Sequence, residues 1–177
     1  DVAAALKPHT GVLPDGTPRV VASGGAIYVR DGDQQAVASI VGALQQTSGA
    51  GAIFTRGVRP GSPEGRVAGT LSFDVARWDH ERSAQILFSP DWADTANVQG
   101  LRGAVSAGGI AGHGSSSPWD IHNTLIAAGP DLARGRIVDV PSANVDLMPT
   151  MLTLLGMAIP PSVQGRALRE ALVGDVA

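Results

Sequence analysis

Apolar residues recur with a helical period over residues 34–46, where Val37, Ile40, Val41 and Leu44 fall at i, i+3, i+4 and i+7. Asp33 stands before this stripe as a candidate N-cap, and Gly49 and Gly51 follow as stop signals. The pattern predicts one amphipathic helix with its apolar face against a sheet. A second helix is predicted over about 147–155, with Met148, Met151, Leu152 and Leu155 on one face, Asp146 as N-cap and Gly156 at C′. Pro149 then falls in the first turn, where its missing N–H is no loss, and Asp146 reads as structural.

Strand-like runs occupy residues 19–22, 26–29, 52–55, 84–88, 124–128 and 137–140, each short and bounded by Gly, Pro, Asp or Ser. Several alternate with helices, which predicts an α/β fold, a mixed sheet with flanking helices. Residues 60–65 and 90–103 read as surface loops, and 57–103 as a loop-rich insertion within a single α/β domain over 1–177.

Composition narrows the partners. With 177 residues, 44% of them hydrophobic, the chain can bury one core. The 13 basic and 16 acidic residues are scattered singly, giving a net charge of −3 and no basic stripe for a nucleic acid. The longest apolar stretch, 147–159, is broken by Pro149 and two threonines and is shorter than the roughly 20 residues of a membrane-spanning helix, so a soluble protein is expected. The absence of Cys removes thiolate ligands and disulfides but leaves the compartment open. The chain opens at Asp1 with no initiator Met, and together with the incomplete chemistry below this raises the expectation of a fragment.

That chemistry centres on His113. It lies in Gly108-Gly109-Ile110-Ala111-Gly112-His113-Gly114-Ser115-Ser116-Ser117-Pro118, where glycines permit close backbone approach and leave an imidazole free to face a metal or anion. Composition alone favours a plain Gly/Ser turn with an exposed His. Asp120 and His122 have the spacing of neighbours on one strand face, admitting a second ligand or an outer-sphere role, although a surface His is the commoner case. A Ser-His-Asp relay from Ser115–Ser117, His113 and Asp120 lacks the Gly-x-Ser-x-Gly elbow. Asp79-His80 is an adjacent acid–His pair followed by Glu81, read as a solvated turn.

Gly112-His113-Gly114, then Leu125-Ile126-Ala127-Ala128-Gly129-Pro130, Gly135, Asn144-Val145-Asp146-Leu147-Met148-Pro149-Thr150-Met151-Leu152, Leu155-Gly156, Pro160 and Gly165-Arg166 follow in an order that resembles the C-terminal end of the type I phosphodiesterase/nucleotide pyrophosphatase family. Sulfatases and cofactor-independent phosphoglycerate mutases are related to it within the alkaline phosphatase superfamily. Residues 20–26 and 51–55 resemble it more weakly, after that family's Asp-His-Gly motif.

The resemblance implies an alkaline-phosphatase-like fold and a phosphoric ester hydrolase with two divalent metals, commonly zinc, of which His113 is one ligand. The nucleophile and the remaining ligands would lie upstream. The Asp-x-x-x-His spacing is not met at any His, because Ala5, Ala76, Gly109 and Pro118 stand four residues before them. The expected partners are then the N-terminal half of the same enzyme and a small phosphate ester, with the chain inactive and metal-free on its own. The competing readings are a non-catalytic α/β scaffold that has lost the metals, and a sulfatase- or mutase-type relative.

Overall fold

The computed structural model describes residues 2–106 and 113–174. Its helices are Val2–Leu6 (α1), Gln34–Gln45 (α2), Pro118–Ile121 (α3) and Leu147–Leu154 (α4). Its strands are Val20–Ser23 (β1), Ala26–Val29 (β2), Ala50–Thr55 (β3), Leu71–Ser72 (β4), Ile86–Pro90 (β5), Trp92–Ala93 (β6) and Ala104–Val105 (β7). The chain divides into two compact units, Asp1–Asn123 and Thr124–Ala177.

In the first unit, Asp33 caps α2 by accepting from the N–H groups of Gln35 and Ala36 at 3.0 and 3.1 Å, as its position before the stripe predicts. The stripe is the buried face: Val37, Ile40, Val41 and Leu44 pack with Val20, Ile27, Val29, Ile53 and Ile86 of the sheet and with Leu6 of α1. The sheet has the order β1-β2-β5-β3-β4 and is mixed, with β3–β4 the parallel pair and the other pairs antiparallel. The mixed α/β class is therefore realised.

Strand period explains which residues reach this core. Ile27 and Val29 point inward while Tyr28 between them is exposed, and the same alternation leaves Val21 exposed beside buried Val20. Gly24 and Gly25 join β1 to β2, both with positive φ, as a two-residue hairpin of this hand requires. Gly25 is also fixed by proximity, since a Cβ there would stand 2.5 Å from the Phe88 carbonyl oxygen. Residues 57–103 contain β4, β5 and β6, and β5 lies in the middle of the sheet between β2 and β3. Beyond the end of β5 at Pro90, residues 91–103 hold the short β6, which pairs with β7.

The second unit is built around α4. Its C-terminus is a left-handed Gly156 closure: Met157 N–H donates to Leu152 O at 2.9 Å and Gly156 N–H to Thr153 O at 3.0 Å. Asp146 does not cap α4 as the sequence predicts. Its carboxylate instead reaches back to the Ala143 N–H at 2.8 Å and across to the Arg166 N–H at 2.9 Å. Thr150 makes a parallel stitch, donating to Asp146 O at 2.6 Å and accepting from Leu168 N–H at 2.9 Å. The spaced residues Asp146, Thr150 and Gly165-Arg166 are thus one hydrogen-bonded knot.

Gly165 is obligatory in that knot. Its φ is +86°, and a Cβ would lie 2.5 Å from Val145 O and 2.7 Å from Asp146 Oδ1. Gly165→Ala is expected to cost about 2 kcal/mol or more through left-handed strain and this collision. Faster amide exchange in the 143–168 segment, with the sheet unaffected, would register it.

The predicted strands at 124–128 and 137–140 do not form. Both runs are irregular and lack hydrogen-bonded strand neighbours among the described residues. A strand is a paired object, and apolar alternation alone does not supply a partner for its N–H and C=O groups. Ile126 and Ile137 are 87% and 91% exposed as a result.

Candidate functional site

His113 and Gly114 are exposed, and immediately after them the chain dives inward: Ser115 and Ser117 are buried. Residues 108–112 of the Gly-rich loop lie outside the described residues. The turn that follows His113 is fixed by four hydrogen bonds. Ser115 N–H donates to Asp120 Oδ2, and Ser116 N–H donates to Ser89 Oγ on β5 at 2.7 Å. Ser117 N–H donates to Ser115 Oγ, and Ser117 Oγ accepts from Trp119 N–H, both at 3.2 Å, capping α3.

The three serines are therefore anchors. Ser115 and Ser117 spend their hydroxyl lone pairs on backbone N–H groups, and the geometry is that of a local Ser-capped turn, not of a nucleophile facing an imidazole. The hydrogen bonds from Ser115, backbone first and then hydroxyl, hold the Asp120 carboxyl below its usual range; the His113 imidazole adds a smaller favourable charge effect. Asp120 is thus an ionised group within electrostatic reach of His113.

Trp119 continues the anchoring. Its indole Nε1–H donates to Asp94 Oδ1 at 2.9 Å, Asp94 also pairs with Arg102, and the Trp119 side chain covers Gly103, where a Cβ would stand 2.5 Å from Trp119 Cβ. The segment after His113 is thereby tied to β5 through Ser89 and to the β6–β7 loop through Asp94.

The other histidines have different surroundings. His80 is exposed; its Nδ1 accepts from Arg82 N–H at 3.1 Å, while neighbouring Asp79 pairs with Arg56 at 3.4 Å, so the Asp79-His80 pair serves a turn, as the sequence reading holds. His122 closes α3 through its N–H to Pro118 O. Asp120 therefore lies on a helical turn and His122 at its end, so the two do not share a strand face. His9 borders an open cavity of about 440 Å³ with Arg19, Asp33 and Ser39, where Asp33 is already engaged by the α2 N-terminus.

No family model, curated protein or solved structure matches the chain. The donor chemistry of its own residues is what remains to test against a metal. Among the described residues, no three His, Asp or Glu side chains gather as a ligand set. His113 is an exposed imidazole without a hydrogen bond among those residues, a donor that fits one position of a metal shell and cannot fill the rest.

Sequence reasoning singles out His113 and misses the Ser89–Ser116 and Ser115–Asp120 anchors beside it. A readable signal was Ser117-Pro118, a Ser N-cap followed by Pro at N1, which marks the start of α3. The link to Ser89 spans 27 residues and leaves no local trace.

In the second unit, Arg166 forms a two-pronged pair with Glu170 at 2.7 and 2.9 Å and donates to Pro141 O at 3.0 Å. The guanidinium holds the Glu170 carboxyl at about 2, and the Arg166 and Ala143 N–H groups lower that of Asp146. Because both carboxyls titrate lower folded than unfolded, their stabilisation is full above the ordinary carboxylate range of about 4 and is lost as pH falls through the folded values. Amide protection of residues 143–170 is expected to fall between about pH 4.5 and pH 2. Exchange measured across that range checks it.

Proposed function

We propose that this chain is the C-terminal portion of a metal-dependent hydrolase of phosphate esters with an alkaline-phosphatase-like fold, and that His113 is one of its metal ligands. The nucleophile and the other ligands belong to an N-terminal portion of the same protein. The observation that carries the reading is the arrangement around His113: an exposed imidazole with no hydrogen bond among the described residues, set directly before a turn held by three local hydrogen bonds and by one to Ser89 on β5. A plain flexible Gly/Ser turn would need no such anchoring.

Two further features support it. Asp146, Thr150, Gly165 and Arg166, which carry part of the resemblance to the type I phosphodiesterase/nucleotide pyrophosphatase family, have a common physical purpose in stitching the second unit together. That unit also leaves Leu125, Ile126, Ile137, Val140, Met148 and Leu155 exposed, an apolar surface suited to an N-terminal half.

When bound, the two metals would activate a hydroxyl nucleophile and neutralise charge on the phosphoryl oxygens. His113 would contribute a neutral ring nitrogen. The full-length protein supplied with zinc is expected to hydrolyse aryl phosphate mono- or diesters, whereas residues 1–177 alone do not. Turnover by the 177-residue chain that survives repurification would defeat the assignment of the nucleophile and remaining ligands to another segment. A zinc-loaded full-length protein inert to these esters would favour the scaffold reading.

A further inference from the structure

We propose that Asp31 is a site of spontaneous backbone modification, at which the Gly32 amide nitrogen attacks the Asp31 side chain and the linkage between the two residues becomes isoaspartyl. The inference is independent of any metal or hydrolase reading of the chain.

The chain contains two Asp-Gly steps, Asp15-Gly16 and Asp31-Gly32. Glycine favours this chemistry because it places no side chain in the path of its own nitrogen, and both glycines stand in open space. What separates the two steps is hydrogen bonding. Asp15 Oδ1 accepts from the Thr17 hydroxyl at 2.6 Å and from the Thr17 N–H at 3.0 Å, and the Gly16 N–H is committed to Leu13 O at 2.8 Å. Those Thr17 bonds, hydroxyl first, hold the Asp15 carboxyl below its usual range, which keeps it ionised and a poor electrophile.

At the second step neither reactant is held in this way. The Asp31 side chain is 85% exposed and has only a loose ion pair with Arg30 Nε at 3.6 Å, and the Gly32 N–H has no partner comparable to that of Gly16. Asp31 also sits at φ +56°, the left-handed region that costs a residue with a Cβ, and Gly32 follows at φ +63°. The nitrogen of Gly32 bonds to Asp31 Cγ, the carboxyl oxygen leaves as water, and a succinimide ring closes. Water then opens the ring at either carbonyl, returning Asp or giving the isoaspartyl linkage, with no net change in mass.

The position of the step gives it a consequence. An isoaspartyl linkage runs the main chain through the Asp31 side chain and lengthens it by one methylene, just before Asp33. Asp33 caps α2 by accepting the Gln35 and Ala36 N–H groups, so the cap is the first interaction displaced.

The experiment incubates the full-length protein in heavy-oxygen water, folded and in denaturant, and follows the Asp15 and Asp31 peptides by chromatography, mass and fragmentation that distinguishes the two linkages. In the folded protein, isoaspartate should accumulate severalfold faster at position 31 than at position 15, with solvent oxygen incorporated at the ring. In denaturant the two rates should converge, because both steps are then in flexible chain. Thr17→Val should speed position 15 alone, and Asp31→Glu should abolish the product at position 31. Amide exchange at Gln35 and Ala36 should quicken in the isomerised fraction. Equal rates at the two positions in the folded protein, or a faster rate at position 15, would overturn the proposal. Isoaspartate at position 31 with unchanged exchange at Gln35 and Ala36 would overturn the effect on the α2 cap.

Discussion

On the proposed metal-ligand role of His113, His113→Ala in the full-length protein is expected to remove metal and phosphoesterase activity together. A metal position with three protein ligands does not survive the loss of one at ordinary zinc concentrations, because the remaining two must hold a strongly hydrated ion. Outer-sphere partners alone are worth about tenfold to a hundredfold, so a direct ligand should cost at least about a hundredfold in hydrolysis. Folding should be almost untouched, since His113 is exposed and makes no hydrogen bond among the described residues. Metal analysis of the purified variant, beside a thermal melt, is the deciding measurement. Unchanged metal stoichiometry would refute the ligand role.

The second large effect is on stability. Ile40→Ala should destabilise the first unit by about 2–5 kcal/mol, the range for deleting a large aliphatic side chain from a core that relaxes incompletely. Ile40 is fully buried in the middle of α2, and α2 is the helix that covers the buried face of the sheet with Val37, Val41 and Leu44. Alanine preserves the helix, because its intrinsic propensity exceeds that of isoleucine, so the loss comes from packing alone. Denaturant unfolding should show a lower midpoint with an unchanged slope. A loss below about 1 kcal/mol would mean that the site collapses around the smaller side chain.

What could be read from the residues follows from the range of the forces involved. Helix α2 was legible to within a residue because its stripe, its Asp33 cap and its length are all local. The hairpin strands β1 and β2 were legible for the same reason, with Gly24-Gly25 marking the turn. Runs 124–128 and 137–140 carry an equally good strand pattern and failed, since pairing depends on a neighbour that residue order does not specify.

Asp146 shows the same limit at one side chain. Its place before an apolar run reads as an N-cap, but Arg166, 20 residues later, offers an N–H that wins the carboxylate. At the candidate site, the position of His113 was visible and its support was not. Ser115, Ser117 and Asp120 admit a relay reading, set aside for want of the elbow, because the residue types of a catalytic relay and of a capped turn overlap. Only the direction of each hydroxyl separates them.

The bare backbone at 124–128 and 137–140 bears on how this polypeptide behaves when made alone. Irregular runs whose amides have no backbone partner among the described residues, with Ile126 and Ile137 exposed, are segments to which a second molecule can add. Charged side chains that would discourage such addition are absent from 124–128, and Asp139 is the sole one in 137–140. Produced without a companion that occupies these runs, the chain should form β-rich assemblies as its concentration rises, and its shelf life in solution will be set by that association before it is set by the melting of its core.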